Sequence, residues 1–438
     1  MTRRTKKIKG GKFISEGAYG CVFGNPPLKC EGEPKRRSNK YVSKLSSNET
    51  ANSEVKRIDI LKSIDSTGEY FILPIDSCKL NKSSIEPTNM VDKCSRKSYN
   101  TLVFSKHGGK DLTNLRLPYD EYIPFFNSLV SLFEGIEKLH NMKYVHCDIK
   151  LSNILTQKQP DNTFKTRLID YDLLIEDEGL FLNEDQHYLF NKEVYPVWPL
   201  EVHFATTDNL PYNNAILTKH INSWYDKQKN YGGYRSLPGK SYWKYNNEPL
   251  FNINSPEIQE LKVLEYSKYR LSSLDIFSLG IALSQIFNML LGYYVIVDKT
   301  NNDSVRINSN FIKASDNTNK TELSEWHNNI IIIIYTPIYN LIRSMIHINP
   351  MKRLNITQVI HDYKIILIEI NKLLTPEILK KYLPLNNTDS SEIIPLSPPP
   401  VLSNKLSGIN QTRSRSRSRS RNRNKNNKNF LGSITKKL

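Results

Sequence analysis

Apolar residues in the first hundred positions come in short runs that glycine and polar residues interrupt. The stretches KFISEGAYGCVF, KYVSKL and NTLVFSKHGG are typical of strands, and the first has a glycine turn between two of them. Between the last two stretches, Val55, Ile58, Leu61 and Ile64 recur at intervals of three residues, which predicts one face of a helix. The pattern therefore predicts a β-rich region that carries a helix.

Further along the chain the spacing of apolar residues is typical of helices. In IPFFNSLVSLFEGIEKLH, Leu129, Leu132, Phe133 and Ile136 fall on one face. The most apolar long run, SLGIALSQIFNMLLGYYVIV, begins at Ser278 and contains two amide side chains, so we interpret it as a buried core helix rather than a membrane span. A small β-rich region followed by a larger helical one predicts an α+β fold with two lobes and no association with a membrane.

The ends of the chain differ in charge from its body. The 438-residue sequence has a net charge of +17, and residues 1–12 carry six Lys or Arg and residues 405–438 carry eleven, with no acid in either segment. The body is therefore electrically balanced. Residues 1–12 lack the apolar core of a secretory signal. Residues 384–438 are rich in Pro, Ser and Asn and then in alternating Arg and Ser, so we expect a disordered basic tail.

The cysteine content predicts no covalent cross-links. The five cysteines are Cys21, Cys30, Cys78, Cys94 and Cys147, and no two of them form a CxxC pair. An odd number without that spacing argues against a disulfide framework and against a zinc site, so we expect a reducing environment. A metal cluster formed by Cys30, Cys78 and Cys94 is the alternative.

A glycine turn and two charged residues form the first group with chemical potential. Gly17 and Gly20 would let backbone N–H groups approach phosphate oxygens closely, although most glycine turns have no such role. Lys44 ends a short strand, where a lysine is more often a solvated edge residue. Glu54 shares the apolar face of the predicted helix and needs a partner there, and Lys44 is the candidate. The rival Glu49 lies on another face.

The stretch YVHCDIKLSNIL carries the second group of charged residues. Asp148 and Asn153 are five residues apart with Lys150 between them, and seventeen residues after Asn153 the apolar run RLIDYDLL brings in Asp170. Two acids, an amide and a lysine suit phosphoryl transfer, because that reaction depends on positioning and on neutralising charge rather than on elaborate covalent chemistry.

Over residues 13–375 the chain resembles eukaryotic-type protein kinases. HCDIKLSN is similar to their catalytic-loop motif, DYD stands where they have D-F-G, SEGAYGCV resembles their glycine-rich loop, and YVSK resembles the strand that carries the nucleotide-binding lysine. WPLE, LDIFSLG and NPMKRLN resemble three later motifs in the family's order. The sequence looks most like the serine/threonine kinases of large nucleocytoplasmic DNA viruses. That likeness implies an intracellular location in host cytoplasm, nucleus or virion.

The resemblance implies a bilobal protein-kinase-like fold. We expect, in chain order, a basic extension at 1–12, a β-rich N-lobe at 13–107, a mostly helical C-lobe at 108–383, and the disordered basic tail at 384–438. Seventy-three residues separate Glu201 from Asp275, more than the family places there, so the C-lobe would carry an insertion within 202–268.

The resemblance also implies a role for each residue of the second group. Asp148 would accept the proton of the substrate hydroxyl, and Lys150 would steady the transferring phosphate, as in kinases that act on serine and threonine. Asn153 and Asp170 would hold Mg²⁺, which prefers hard oxygen ligands together with substrate phosphates.

The first group would bind ATP. Lys44, oriented by Glu54, would hold the α- and β-phosphates. The further residues implied in ATP binding are Ile14, Ser15, Gly17, Ala18, Tyr19, Gly20, Val22 and Phe104. Glu201 would pair with Arg353, and Asp275 would hold the backbone of the catalytic loop, all three as parts of the scaffold.

Three positions depart from the family pattern. Ser15 stands at the first glycine of the loop, where a small residue should be tolerated. Asp172 replaces the glycine of D-F-G, which predicts a less switchable segment. Cys147 replaces an arginine that binds an activating phosphate, and between Asp170 and Glu201 three tyrosines are the only hydroxyl residues. We therefore expect activity without Ser/Thr phosphorylation of this segment, and a packing role rather than a redox role for Cys147.

The segment from residue 170 to residue 201 is acidic. It holds nine acids against Lys192 alone, which indicates either a solvated face or a preference for basic protein substrates through charge complementarity. The tail, with serines at 414, 416, 418 and 420 between arginines, is such a sequence and a candidate for autophosphorylation. Alternatives for the tail are nucleic-acid binding, targeting or simple solvation. The sequence leaves the oligomeric state open.

Two other functions fit parts of the sequence. A pseudokinase that acts as a nucleotide-binding scaffold would explain Ser15, Cys147 and Asp172, but such a scaffold has no evident need for the complete set of charged motif residues. A small-molecule kinase would share an H-x-D-x-x-x-x-N loop. Lys150, the WPLE motif and the DIFSLG helix argue for a protein substrate instead.

Overall fold

The computed structural model describes most of the chain up to residue 382. The described ranges are 11–17, 20–33, 37–81, 94–95, 98–113, 115–177, 197–199, 201–202, 270–296, 304–307, 320–347 and 349–382. Three predicted segments lie outside these ranges: the N-terminal extension apart from its last two residues, the insertion after residue 202, and the basic tail.

Residues 11–107, called the sheet region here, contain an antiparallel five-stranded sheet and a helix. The strands are β1 (Lys12–Gly17), β2 (Gly20–Gly24), β3 (Tyr41–Ser46), β4 (Pro74–Lys79) and β5 (Thr101–Lys106), and the helix is α1 (Asn48–Ile64). The strand order is β1-β2-β3-β5-β4, so β3 is central and pairs with both β2 and β5. This arrangement confirms the β-rich region and its helix.

Helix α1 begins at a polar cap and buries one face. The Ser47 side chain accepts a hydrogen bond from the Thr50 backbone N–H at 3.1 Å, which satisfies an amide at the open end of the helix. The buried residues of α1 are Ala51, Glu54, Ile58 and Leu61. The buried face is therefore rotated from the predicted one, because Val55 and Ile64 are only half-buried.

Two disulfides cross-link the sheet region, so the expectation that no disulfide framework exists is wrong. Cys21 is bonded to Cys94 and Cys30 to Cys78, across 73 and 48 residues of chain. The partners meet because antiparallel folding brings distant segments together, as where Cys30 bridges Leu80 beside Cys78. The alternative of a metal cluster is wrong for the same reason. Since disulfides persist in oxidising surroundings, the cysteine content no longer supports a reducing compartment.

Residues 108–382, called the helical region here, contain the longer helices. Their bounds are α2 (Tyr122–Asn141), α3 (Ser272–Leu291), α4 (Lys320–Ile330), α5 (Thr336–Met345), α6 (Ile356–Leu373) and α7 (Pro376–Tyr382), with a π-helical turn at Ile331–Tyr335. The strands are β6 (Lys110–Asp111), β7 (Tyr144–Val145), β8 (Ile154–Lys158), β9 (Phe164–Leu168), β10 (Ile175–Glu176), β11 (Tyr293–Ile296) and β12 (Ser304–Ile307). A β-rich region followed by a helical one confirms the coarse α+β organisation.

Helices α2 and α3 lie at the centre of the largest core. The four residues of the predicted apolar face of α2 are all buried. The rings of Phe126 on α2 and Phe287 on α3 stack with their centroids 5.2 Å apart. Within the described ranges, α3 is the one helix long and apolar enough to cross a membrane, and 83% of its most apolar window is buried inside the protein. That burial is typical of a core helix.

Two small sheets fix the loop between β7 and β8. Strand β8 pairs with β6 and β9 in a three-stranded antiparallel sheet, and β7 pairs with β10. The register places Ile154 opposite Leu168 and Val145 opposite Ile175. The loop 146–153 is consequently held at both ends, and the residues just before β8 lie beside those just after β9.

Candidate active site

The loop between β7 and β8 is built around a buried carboxylate. Asp275 on α3 is fully buried and accepts hydrogen bonds from the backbone N–H groups of His146 and Cys147 at 2.8 and 2.9 Å. The same carboxylate lies 3.1 Å from Nε2 of His140 on α2. A buried carboxylate needs such partners. The expectation that Asp275 holds the backbone of this loop is therefore confirmed.

The loop gives Asp148 two polar neighbours. Lys150 Nζ donates to Asp148 Oδ2 at 2.9 Å, and Asn153 Nδ2 donates to the same oxygen at 2.7 Å. Asn153 Nδ2 also donates to the Asp148 carbonyl at 2.9 Å. With these contacts and an exposure of only 5%, the Asp148 carboxylate is held in one orientation. A carboxylate held in this way is suited to accept a proton from a bound hydroxyl group.

Asn153 and Asp170 lie side by side because β8 and β9 are paired. Asn153 immediately precedes β8, and its carbonyl accepts a hydrogen bond from the N–H of Ile169 at 3.0 Å. Asp170 follows directly, with a positive φ of 65° that residues other than glycine rarely adopt. In this conformation Asp170 Oδ1 lies 3.6 Å from Nζ of Lys44. The sheet pairing thus brings two oxygen donors and a lysine to one corner.

The donor set of this corner fits a magnesium ion. Asp170 Oδ1 is buried and has no hydrogen-bond partner among the described residues. The Asn153 amide nitrogen is used by Asp148, so the amide oxygen is the atom left to act as a ligand. Mg²⁺ is usually held by one or two carboxylates, with water and substrate phosphates as the other ligands. The described residues include no group of three or more His, Cys, Asp or Glu that could hold a metal ion by themselves.

Lys44 lies on β3 with its ammonium group among three carboxylates. Its Nζ forms an ion pair with Glu54 of α1, and it lies 3.6 Å from Asp170 Oδ1 and 3.4 Å from Asp172 Oδ2. Burial by itself would lower the pKa of Lys44, but the three carboxylates outweigh burial and raise the pKa above its ordinary value. The predicted pair of Lys44 with Glu54 is confirmed, and the rival Glu49 is exposed.

The three carboxylates around Lys44 differ in how readily they ionise. Burial raises the pKa of Glu54 to about 7, although the charge of Lys44 acts in the opposite direction. Burial also raises the pKa of Asp172. For Asp170, burial acts to raise the pKa, but Lys44 and Lys150 outweigh it and hold the pKa below its ordinary value. Asp170 is therefore an anion at neutral pH, whereas Glu54 changes charge near neutrality.

Asp172 belongs to this cluster, although it was not among the site residues predicted from the sequence. Its side chain is 9% exposed, with Oδ2 facing Lys44 and Oδ1 4.0 Å from Nη1 of Arg57. Arg57 follows Glu54 by three residues, which places both on one face of α1. The signal in the sequence was an acid two residues after Asp170 and a basic residue at helical spacing from Glu54.

Cys147 is a packed residue, as the sequence predicts. It is fully buried in a small apolar cluster whose other members are Val145, Val197, Trp198, Val202, Leu271 and Leu274. Trp198 Nε1 donates to the Cys147 carbonyl at 2.6 Å. Burial raises the pKa of the Cys147 thiol well above its ordinary value, so the thiol stays protonated and unreactive.

The glycine turn between β1 and β2 is the end of a hairpin whose tip, Ala18 and Tyr19, lies outside the described residues. Gly17 pairs with Gly20 across the hairpin. A Cβ atom on Gly20 would lie 2.4 Å from the Leu45 carbonyl oxygen, so packing against β3 explains this glycine. At Gly17 a Cβ atom would meet nothing closer than 3.9 Å. Packing therefore explains Gly20 but not Gly17.

Three other predicted ATP-binding residues lie on the same hairpin. Ile14 and Ser15 are exposed on β1, and Ser15 pairs with Val22 of β2. Val22 is directly opposite Lys44 in the register of β2 and β3. Since residues opposite each other in an antiparallel pair share a face, the structure brings Val22 and Lys44 together on one side of the sheet.

Phe104 lies on the other face of the sheet from Lys44. Val103 is the residue of β5 that stands opposite Lys44, so its neighbour Phe104 points the opposite way. The Phe104 ring is fully buried with Phe23 in the core of the sheet region. The Phe104 side chain therefore belongs to this core, and a contact with nucleotide at this position would involve its backbone.

The predicted pair of Glu201 with Arg353 is confirmed. Both side chains are 0% exposed, and the guanidinium donates through both terminal nitrogens to the carboxylate, with Nη2 to Oε2 at 2.9 Å. Arg353 also donates to the carbonyls of His347 at 2.7 Å and of Ser273 at 3.2 Å. Arg353, just before α6, thereby ties Glu201 and the start of α3 together.

Tyr171 anchors the segment that carries Asp170 and Asp172. Its ring packs edge-on against Phe71 at 6.0 Å and against His146 at 5.4 Å, and its hydroxyl donates to the Leu168 carbonyl at 2.6 Å. Tyr171 is 4% exposed, so this tyrosine is not accessible to accept a phosphate.

The five described acids of the acidic segment have partners within the chain. Asp177 accepts hydrogen bonds from the backbone N–H groups of Leu271 at 2.9 Å and Ser272 at 3.3 Å, and the Tyr144 hydroxyl donates to Glu176 at 2.9 Å. Asp170, Asp172 and Glu201 are paired as described above. The acids outside the described residues are Glu178, Glu184, Asp185 and Glu193.

No protein-family model matches the chain, and no curated protein matches it. What this site can do therefore follows from its own residues: a held carboxylate, two oxygen donors at the ends of paired strands, and a lysine among acids.

Proposed function

We propose that the chain is a protein kinase that transfers the γ-phosphate of ATP to serine or threonine hydroxyls of protein substrates. The observation that carries the proposal is the convergence of charged groups in one site. Asp148 is bonded to Lys150 and Asn153, and Asp170 beside them lies 3.6 Å from Lys44. Phosphoryl transfer needs a proton acceptor, cations close to the phosphates and ligands for a metal ion, and these residues supply all three.

Asp148 acts as the proton acceptor. The substrate hydroxyl oxygen forms a bond to the γ-phosphorus while the bond from that phosphorus to the bridging oxygen of ADP breaks, and ADP leaves with the electron pair. The hydroxyl proton passes to Asp148. Because Lys150 and Asn153 already hold the carboxylate, it needs no reorganisation at that moment. Lys150 also places a positive charge beside the transferring phosphate.

Lys44 holds the α- and β-phosphates of ATP, and Glu54 keeps Lys44 in place. Asn153 and Asp170 would hold Mg²⁺, which when bound offsets the negative charge of the phosphates. The remaining residues proposed to bind ATP are Ile14, Ser15, Gly17, Ala18, Tyr19, Gly20, Val22 and the backbone of Phe104. Val22 is supported by its position on the Lys44 face of the sheet.

The finer description of the fold belongs to the same proposal. An N-lobe at 13–107 and a C-lobe at 108–383 agree with the antiparallel sheet region and the helical region. The buried pair of Glu201 with Arg353 and the contacts of Asp275 with the catalytic loop also support it. The likeness to kinases of large nucleocytoplasmic DNA viruses and the intracellular location are proposed from the sequence alone.

Basic proteins are the proposed substrates. Charge complementarity with the acidic segment is the reason, and it depends on the four acids outside the described residues because the other five have partners within the chain. The Arg-Ser tail is proposed as a substrate in cis, and nucleic-acid binding is the competing proposal for it.

Phosphate transfer from labelled ATP tests the proposal. The purified chain is incubated with Mg²⁺ and histone or myelin basic protein, beside Asp148→Asn and beside Asp59→Asn, an exposed acid on α1. We expect phosphoserine or phosphothreonine from the wild type, about 10²- to 10⁴-fold slower transfer by Asp148→Asn, and wild-type transfer by Asp59→Asn. Binding of ATP without transfer by the wild type would favour a nucleotide-binding scaffold. If the wild type neither binds ATP nor transfers phosphate, the whole proposal is contradicted.

A further inference from the structure

Asp172 lies between two cations that come from different elements of the sheet region. Its Oδ2 is 3.4 Å from Lys44 Nζ on β3, and its Oδ1 is 4.0 Å from Arg57 Nη1 on α1. With a side chain only 9% exposed, Asp172 is shielded from solvent. A carboxylate in that environment interacts more strongly with its partners than it would at the surface.

The same helix reaches this cluster through two residues. Glu54 binds Lys44, and Arg57, three residues later on the same face of α1, approaches Asp172. Helix α1 is therefore tied to the segment after β9 both through Lys44 and through Arg57. Arg57 is itself oriented by a hydrogen bond from Nη1 to the Ser53 hydroxyl at 2.8 Å, one turn back on the helix.

Asp172 is also rigidly connected to Asp170, a proposed metal ligand. Tyr171 between them is buried against Phe71 and His146, so the backbone at this point is fixed from inside the core. A displacement of Asp172 would move Asp170 with it. The position of α1 and the position of Asp170 are consequently coupled through one short, buried segment.

Among the described residues, the segment after β9 offers no accessible hydroxyl group on which a phosphate could hold α1 in place. Cys147 is buried and uncharged, and the chain has no Ser or Thr between Asp170 and Glu201. The one tyrosine of that segment within the described residues, Tyr171, is buried. The Asp172 carboxylate, which lies near Lys44 and Arg57, provides from within the chain the acidic contact that a phosphate would otherwise have to supply.

We propose that Asp172 and Arg57 are positioning residues that hold helix α1 against the Asp170 segment, so that Lys44 is set for ATP without phosphorylation of the chain. The inference rests on the proposed kinase function and adds a mode of regulation to it: the active arrangement is built into the fold. Neither residue touches the reacting atoms; each acts through Lys44, Glu54 and Asp170.

A double-mutant cycle tests the pair. The variants are Arg57→Gln, Asp172→Asn and the two combined, with Arg57→Lys as the conservative change and Lys56→Gln as the matched control, because Lys56 is exposed on the same helix. We expect each single variant to lower kcat/KM for ATP about tenfold and the double variant to lose no more than the worse single one, since both changes break one interaction. Arg57→Lys should recover part of the loss, and Lys56→Gln should equal the wild type.

Two further readouts separate positioning from a general loss of structure. The KM for the protein substrate and the midpoint of urea unfolding should change little in the Asn variant, which keeps the size of Asp172. Wild-type protein treated with a phosphatase should keep its full rate. If Asp172 instead held a metal ion, Asp172→Asn alone would raise the Mg²⁺ concentration needed for half-maximal rate, and that result would overturn the inference.

The outcomes also distinguish this inference from the proposed function. A wild-type chain that transfers no phosphate overturns both. A wild-type chain that transfers phosphate, with additive losses in the two single variants or with activity abolished by the phosphatase, overturns the positioning role of Arg57 and Asp172 alone.

Discussion

The sheet region and the helical region are stabilised by different means. The core of the sheet region has nine buried residues, of which three are cysteines in disulfides. The core around α2 and α3 is far larger and contains many aromatic and aliphatic side chains but no cysteine. A small sheet buries little apolar surface relative to its length, so covalent cross-links add stability that the core does not supply.

The difference also separates the parts of the site. The sheet region contributes Lys44 and Glu54, and the helical region contributes Asp148 and Asp170. The residues from the helical region stand on strands and a loop fixed by a large core. The residues from the sheet region stand on elements whose positions depend on cross-links and on a few buried charges. We therefore expect changes to each region to have distinct effects.

The largest effect on stability is expected in the helical region. Arg353→Ala would remove the buried guanidinium that binds the Glu201 carboxylate, so we expect a loss of about 3–5 kcal/mol in the free energy of unfolding, measured by urea titration. The matched control is Lys364→Ala, because Lys364 pairs with Glu134 at the surface, with side chains 53% and 35% exposed. Its loss should be about 0–1 kcal/mol. Equal losses of unfolding free energy in the two variants would contradict the claim that the buried ion pair contributes more than the exposed one.

The second-largest effect on stability is expected when a disulfide of the sheet region is removed. Cys30→Ser with Cys78→Ser opens a loop of 48 residues, and we expect a loss of about 2–4 kcal/mol. Hydrogen exchange should locate the loss in β2 to β5 and leave α2 and α3 protected. A reductant should reproduce the effect in the wild type. If hydrogen exchange in the sheet strands does not change after reduction, the small core stabilises the sheet region without the disulfides.

The pH dependence of activity should report on Glu54, a residue of the sheet region. Because the pKa of Glu54 is about 7, we expect kcat/KM for ATP to fall by about tenfold for each pH unit below that value, as protonation removes the partner of Lys44. Among the described residues, Lys44, Asp170, Asp172 and Arg57 are charged groups that interact with Glu54. Glu54→Gln should abolish this limb of the profile, whereas Glu49→Gln, exposed on the same helix, should retain it.

The contribution of Glu54 to stability should change in the opposite direction to activity: as the pH falls below about 7, activity falls and this contribution rises. Glu54 binds a proton more tightly in the folded chain than in the unfolded chain, where its pKa is near 4.5. Its contribution to the free energy of unfolding is therefore fully present below about pH 4.5 and is lost as the pH rises through about 7. If kcat/KM of Glu54→Gln still falls below about pH 7, the pH dependence of activity belongs to another group.

The smallest effect is expected at a helix cap in the helical region. The Asn355 side chain accepts from the Gln358 N–H at 2.9 Å, and the Gln358 side chain accepts from the Asn355 N–H at 2.9 Å. Asn355→Ala should cost about 1 kcal/mol, measured by thermal or urea unfolding. Asn371→Ala, on the exposed side of the same helix, should cost less. A larger loss at Asn371 would contradict the capping role.

Local patterns in the sequence predicted local structure well. The apolar face of α2 is the buried one, and the spacing of Asp148, Lys150 and Asn153 places their side chains in contact, because both depend on residues a few positions apart. The face of α1 was predicted less accurately: Glu54, Ile58 and Leu61 are buried as predicted, but tertiary packing leaves Val55 and Ile64 only half-buried.

Contacts between distant residues could not be predicted from such patterns. The disulfides join cysteines 73 and 48 residues apart, and the approach of Asp172 to Arg57 spans more than a hundred residues. Phe104 was assigned to the ATP site, but the register of β3 and β5 turns its side chain into the core. Register depends on how whole strands pair, which a single short motif does not specify.

The sequence by itself determined which residues are candidates for the site, namely its acids, amide and lysines, and their order along the chain. It also determined most of the helices and strands that carry them. Only the tertiary structure decided which of these meet. It placed Asp172 between Lys44 and Arg57, paired the cysteines, and buried the Phe104 ring in the core of the sheet region. The physical reason is that periodicity and spacing act over a few residues, whereas burial and charge pairing are settled by the packing of the whole fold.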